Sequence, residues 1–309
     1  MDRDLKLVSL LPSATEIAVA LGLGDNLVGR SHECDFPAPV KSAPICTSTR
    51  LEKGLRSIEI DQRVQEIVTQ GLSLYEVDAP LLRGLSPDII LTQTQCAVCA
   101  VTPDDLTDAL ANWMGDPPKL ISTAPDTLHD VWGDIRAVGA ASGREREASR
   151  LIRDLKNRLA VLSRSVPAET PRPRIAAIEW FDPLMAAGNW VPELISIAGG
   201  ESLFATPGEH SDFLAWDDLA AADPDIVILM PCGYQIPQSL ADIEAVEGAA
   251  HWANLRAVKA GHVYIADGHH FFNRPGPRLV ESAEIVAAII EDWRGAGHPN
   301  PGHWMRYSG

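Results

Sequence analysis

The chain uses one phrase twice, once in each half. Leu85-Ser86-Pro87-Asp88-Ile89-Ile90-Leu91 leads into Thr92-Gln93-Thr94-Gln95-Cys96, and Ala222-Asp223-Pro224-Asp225-Ile226-Val227-Ile228-Leu229 leads into Met230-Pro231-Cys232-Gly233. Each copy is a Pro-Asp turn, an unbroken apolar run, then small and polar residues near a cysteine. A run without polar alternation is a strand buried on both faces, the kind found in parallel sheets. Two such strands predict two similar α/β lobes, and the gap between two lobes is a natural place for a ligand.

A length of 309 residues accommodates two domains. The formal charge of −16, from 42 acidic against 26 basic residues, excludes nonspecific nucleic-acid and anionic-membrane partners, which need positive charge. It leaves room for a small ligand held by a few local donors. No apolar run is long enough to cross a bilayer, so membrane insertion is not expected. The opening Met1-Asp2-Arg3-Asp4-Leu5-Lys6 and the short apolar stretch 7–11 do not read as a signal peptide. Five cysteines leave one unpaired, which suits a reducing compartment. The expectation is a cytoplasmic protein, or a periplasmic or otherwise extracytoplasmic one if a leader has been removed.

Residues 1–124 read as an N-terminal α/β lobe. A strand at 7–11 meets a helix that Ser13 caps, with Glu16 as its capping-box partner, and Leu27-Val28-Gly29 is the next strand. Residues 125–166 form a helical linker. Leu128, Val131, Ile135 and Val138 share one helix face that is expected to break at Gly139 and Gly143. Residues 144–165 then read as one helix, with Leu151, Ile152, Leu155, Leu159 and Leu162 on its apolar stripe, roughly 33 Å long. Residues 167–309 form the C-terminal α/β lobe, with strands at 174–178, 225–229 and 262–266, a terminal helix at 278–293 and an irregular tail over 295–309.

In open parallel sheets, ligands gather outside the carboxyl ends of the strands. The loops leaving the predicted strands hold nearly all the unusual side chains. These are His32, Glu33 and Cys34; Gln93, Gln95, Cys96 and Cys99; Glu179 and Trp180; Cys232; and His269, Phe271, Phe272, Asn273 and Arg274. Asn189, Trp190, Glu209 and His210 join them from the loops of the second lobe. Trp180, Trp190, Phe271 and Phe272 are flat apolar surfaces for a large planar ligand, or core residues of the lobe. Arg274 suits an anionic substituent. Cys96 and Cys99 have the spacing of a metal or redox pair, and with Cys34 and Cys232 supply four thiols for zinc or an iron–sulfur cluster if they converge. Buried cysteine without any metal is the plain alternative. Enzyme signatures are missing: there is no nucleophile elbow, phosphate-binding loop, dinucleotide fingerprint or zinc-protease helix. The chain is expected not to be an enzyme and to need no cofactor.

Three segments together carry a family resemblance: Leu7-Val8-Ser9-Leu10-Leu11-Pro12-Ser13-Ala14-Thr15-Glu16, the pair of Pro-Asp strands, and Trp252-Ala253-Asn254-Leu255-Arg256-Ala257-Val258-Lys259-Ala260-Gly261-His262-Val263-Tyr264. With them the chain resembles the single-helix-linked class of ABC-transporter substrate-binding proteins, which bind cobalamin, iron–siderophore or haem. The opening segment and the loop 31–37 are most similar to the cobalamin-binding branch. The resemblance implies two Rossmann-like lobes with central parallel sheets joined by one long helix. It implies a corrinoid in the gap, touched by Trp180, Trp190 and Phe271, and an ABC permease that docks on one acid per lobe, for which Glu59 and Glu201 are candidates. Iron–siderophore or haem binding on the same scaffold, and a metal- or cluster-dependent protein built on the cysteines, are the rival readings.

Overall fold

The apolar runs become strands that pair in parallel, as their lack of alternation requires. The computed structural model describes residues 5–308 save 71, 96–99, 112, 114, 168 and 297–301, and the side chain at 108 is also set aside. The chain divides into two compact units. Unit 1 comprises residues 1–54, 62–125 and 129–154, and unit 2 comprises residues 55–61, 126–128 and 155–309.

Unit 1 contains β1 (Leu7–Ser9), β2 (Leu27–Arg30), β3 (Thr47–Thr49), β4 (Tyr75–Val77), β5 (Ile89–Gln93) and β6 (Lys119–Thr123). Its main sheet runs β2-β1-β5-β6, entirely parallel, while β3 and β4 form a separate antiparallel pair. Leu7, Val8, Ile90 and Leu91 are fully buried, and each such side chain contributes about 1.5–3 kcal/mol of apolar burial. The chain goes from β1 to β2 on one side, then returns to place β5 on the other. That reversal puts the carboxyl ends of β1 and β5 side by side.

Unit 2 repeats the arrangement. It contains β7 (Arg174–Trp180), β8 (Met185–Ala186), β9 (Glu201–Ser202), β10 (Ile226–Leu229), β11 (Val263–Ala266) and β12 (Trp304–Tyr307). The parallel core runs β11-β10-β7, with β9 along the start of β7 and antiparallel β8 along its end. The same reversal occurs here, with β9 on one side of β7 and β10 on the other.

The helix Glu145–Ser165 is unbroken for 21 residues, about 31 Å, as its apolar stripe predicts. Its residues through Asp154 group with unit 1 and those from Leu155 with unit 2. In unit 2, Arg158 on this helix pairs with Glu281 (3.1 Å) and Glu284 (2.9 Å) on the terminal helix Leu279–Trp293. The first turn of the helix Ser57–Thr69 also groups with unit 2. Asp242 accepts from Ser57 N–H at 2.8 Å, and the Tyr234 hydroxyl donates to the Leu55 carbonyl at 3.2 Å.

Three local expectations need correction. The first helix begins at Pro12, with Leu11 as its N-cap and no side-chain cap, so Ser13 lies inside the first turn. Proline is preorganised for that first position and has no N–H to satisfy. The helix Leu128–Ser142 runs through Gly139 and stops only before Gly143, whose φ of +69° is left-handed. Gly139 serves close packing instead: a Cβ there meets Ala148 Cβ at 2.7 Å and Arg144 O at 3.1 Å. The tail is not all irregular, because β12 pairs antiparallel with β11, matching Ala266 to Trp304 and Val263 to Tyr307. Its aromatic residues close the sheet, with Trp304 buried against Tyr264 at 5.6 Å.

Candidate ligand-binding site

Both units place their chemistry at the carboxyl ends of parallel strands, next to the reversal in strand order where open α/β sheets bind ligands. In unit 1 the loop after β2 is organised by Arg30. Its buried guanidinium donates to the carbonyls of Ala43 (3.2 Å), Ser31 (3.0 Å), Cys34 (3.1 Å) and Lys41 (3.3 Å). That cage fixes the path of the residues that follow.

His32 sits in this loop, its Nδ1 2.8 Å from Thr47 Oγ1, which also accepts the His32 backbone N–H at 3.1 Å. The Thr47 hydroxyl also lies 3.3 Å from Ser31 Oγ, so His32, Thr47 and Ser31 form one polar chain. His32 Nε2 is buried and has no hydrogen-bond partner among the described residues. Burial first, then the charges of Arg30 and Lys53, lower the imidazole pKa. Glu33 is partly buried, its backbone N–H on Ser31 Oγ. Cys34 is fully buried, and its Sγ accepts from Thr15 Oγ1 at 3.0 Å. Gln93 is buried and spends its amide on the Ala100 carbonyl at 3.0 Å, while Gln95 donates to the Pro125 carbonyl. Cys96 and Cys99 lie outside the described residues. Cys46, which no site expectation included, is buried in the core of unit 1. Burial pushes its thiol up to about 11.

Unit 2 carries the denser rim. Glu179 and Trp180 end β7, and the Cys232 N–H donates to the Glu179 carbonyl at 3.0 Å, tying the β7 and β10 loops together. The Trp180 ring is partly exposed and meets Tyr234 edge-on at 5.5 Å. Beside it, Met185 pairs with Trp180 across β8 and bridges to Phe213, a phenyl ring 65% exposed. Cys232 is exposed.

The loop after β11 is braced from several sides. A Cβ on Gly268 meets the Pro231 carbonyl oxygen and, at 2.6 Å, that of Met230, so two backbones touch where only glycine fits. Asn273 donates to the carbonyls of Gly268 (2.9 Å) and Met230 (3.3 Å). Asp267 accepts the backbone N–H groups of His269 and His270 on one oxygen and His270 Nδ1 on the other, at 2.8 Å. Burial alone raises the Asp267 pKa, but the His270 side chain and backbone outweigh it and hold the carboxyl below its ordinary range. Arg274, only 6% exposed, donates to His269 Nε2 at 2.8 Å, which keeps that imidazole as an acceptor. Segment 302–308 contributes as well: the His303 carbonyl accepts from Asp267 N–H, and its ring lies 4.7 Å from Phe271.

Not every expected aromatic is a surface. Phe272 is fully buried, its N–H on Ser282 Oγ, and Trp190 is buried with its indole N–H on the Phe272 carbonyl at 2.6 Å. Phe271 is buried beneath Arg278, whose guanidinium lies 5.2 Å from the ring centre. These three rings pack the interior of unit 2. Asn189, Glu209 and His210 come together with Glu179 through Ser211, a residue sequence reasoning passed over, as it did Arg30, Thr47, Tyr234 and Asp267. Only Arg30 carried a signal, being a cation at the end of an apolar strand. Of the two candidate docking acids, Glu59 lies in the first turn of the helix Ser57–Thr69 and Glu201 is exposed at the start of β9.

The comparisons agree with this architecture. The family model for periplasmic binding protein matches residues 7–269. The vitamin B12-binding protein of Photorhabdus laumondii subsp. laumondii is 23% identical over 290 residues, covering 93% of this chain and 88% of that one. The crystal structure of the periplasmic vitamin B12 binding protein BtuF of Vibrio cholerae superposes with a TM-score of 0.65 at 20% identity, covering 94% and 97% of the two chains. A periplasmic haem binding protein from Pseudomonas aeruginosa gives 0.70 at 18% identity, covering 96% and 95%. Among the described residues no helix is long and apolar enough to cross a membrane. The expected two-lobe architecture with one long helix holds, and the function is substrate binding of the ABC-transport type rather than catalysis. The chain belongs to the periplasmic binding protein family.

Proposed function

We propose that the chain binds a cobalamin-like corrinoid, with the strand-end rims of its units supplying the contacts, and delivers it to an ABC permease or carries it in solution. The observation that carries this reading is the apolar wall at the end of β7. There Trp180, backed by Tyr234 and flanked by Met185 and exposed Phe213, stands at the point where the strand order reverses. A flat macrocycle buries apolar area against such rings, worth about 1.5–3 kcal/mol for a large side chain. Support also comes from the relative named for vitamin B12 binding, which aligns over nearly the whole chain.

A second reading, haem or an iron–siderophore, is favoured by the imidazoles on both rims, His32 and His269. Calorimetric titration with cyanocobalamin, haemin and a ferric siderophore separates the readings. The expected result is stoichiometric binding of cyanocobalamin, weakened about 10- to 100-fold by Trp180→Ala. Tighter binding of haemin or of the siderophore transfers the function to the second reading, and no binding of cyanocobalamin removes the first.

A further inference from the structure

The helix Glu145–Ser165 turns a row of bare cations outward. In unit 1 its buried side is marked by Ala148 and Ile152. At about 100° per residue, Arg146, Arg150 and Arg153 fall within about 60° of one another on the opposite side. All three are exposed and belong to unit 1, and they span about 10 Å of helix axis. None of them forms a hydrogen bond, ion pair or ring contact among the described residues.

Elsewhere the chain keeps its arginines occupied. Arg50 and Arg63 each meet a carboxylate at 2.9 Å, and Arg256 meets one at 3.0 Å. Arg83, Arg174 and Arg294 donate to backbone carbonyls. Besides the row, Arg136 and Arg164 are the other bare arginines among the described residues.

The row also works against its own helix. Like charges three and four residues apart repel, as Arg150 does with Arg153 and Arg146. Arg146 lies in the first turn, where the macrodipole favours acids. The chain has 42 acidic residues, yet none neutralises this face. Glu145 and Glu147 lie about 100° to either side of Arg146, and Glu147 pairs with Arg144 at 3.7 Å.

A row that strains the helix and is met by nothing within the chain fits an anionic partner outside it, and its width says which kind. Exposed Glu145, Glu147 and Asp154 border the arginines. A bilayer or a duplex is broader than one helix, about 12 Å, and brings its phosphates against those acids. A single acidic helix carries carboxylates at the same three- and four-residue spacing and meets the arginines alone.

We propose that Arg146, Arg150 and Arg153 form a docking row for a protein partner that presents one acidic helix. The inference is independent of the corrinoid reading and of the strand-end rims.

The test uses two labelled, alanine-rich helical peptides with equal numbers of glutamates. In one the glutamates are spaced four and three residues apart, and in the other two and five. Fluorescence anisotropy at low salt is expected to show wild type binding the first about 10-fold more tightly than the second. That preference should fade at about 0.5 M salt. Changing all three row arginines to Glu should abolish it, while Arg136→Glu should leave it intact. If the triple Glu variant melts well below wild type, the triple Gln variant decides. Equal binding of the two peptides, or a preference that survives the triple substitution, overturns the row. Tighter row-dependent binding of phosphatidylserine vesicles or of duplex DNA overturns the acidic helix as the occupant. Self-association in sedimentation that the triple substitution removes also overturns it, in favour of a second copy of the chain.

Discussion

Units 1 and 2 share a strand-reversal plan but secure their rims by opposite means. In unit 1 one buried cation does most of the work: Arg30 collects four carbonyls, and the loop carrying His32 and Cys34 follows from that cage. In unit 2 the rim is held by direct backbone contact at Gly188 and Gly268 and by the carboxylate of Asp267. The first solution depends on a charged side chain and tolerates changes of shape around it. The second depends on shape and leaves the Trp180 ring partly exposed at the end of β7.

Three substitutions break or sharpen that contrast. Gly268→Ala forces a methyl group into two carbonyl oxygens of the neighbouring loop, and overpacking against backbone that cannot yield should cost more than about 4 kcal/mol. The measurement is thermal unfolding, with Gly233→Ser as reference. Gly233 has a positive φ of 77°, which Gly268 does not, and open space around it, so its loss reads backbone strain alone, and a loss at Gly268 no larger than that would contradict the contact.

Arg30→Met keeps the stem and removes the donors, leaving buried carbonyls unsatisfied. The expected loss is about 3 kcal/mol, with the increase in hydrogen exchange confined to residues 30–47. Exchange spreading to the unit 2 rim would contradict the separation of the two strategies.

Asp267→Asn should cost least, about 1–2 kcal/mol at pH 7. The sign with pH follows from the lowered pKa of Asp267. Its contribution is fully present above the unfolded carboxyl value and is lost as pH falls through the folded one. The stability gap between variant and wild type should therefore narrow steadily as pH falls through the carboxyl range, and a gap independent of pH would show that the carboxylate charge is not what braces this loop.

The architecture was readable because the decisive signals are continuous in sequence. Ile226-Val227-Ile228-Leu229 has no polar partner to face water, and the stripe along 144–165 has the period of one long helix. What escaped was decided by packing. Trp304–Tyr307 is too short, and too closely flanked by glycine and proline, to announce a strand before β11 is there to receive it. Gly139 looked like a stop, and becomes a point of close approach only because Ala148 folds back upon it. The strand-end loops were identifiable, but which of their residues turn inward was not: Phe272, Trp190, Gln93 and Cys34 are all buried. Ser211 and Thr47 were passed over because a hydroxyl gains importance only from the neighbours a fold supplies.

The pairing of β12 with β11 has a practical consequence. Val263, Tyr264, Ile265 and Ala266 are all buried, so stripping away Trp304–Tyr307 would bare a row of amides and carbonyls along an apolar ribbon. Such a border recruits strands from other molecules. With those four residues in place, exposed Arg306 lines the outermost strand instead, and the last stretch of polypeptide acts as a guard against aggregation.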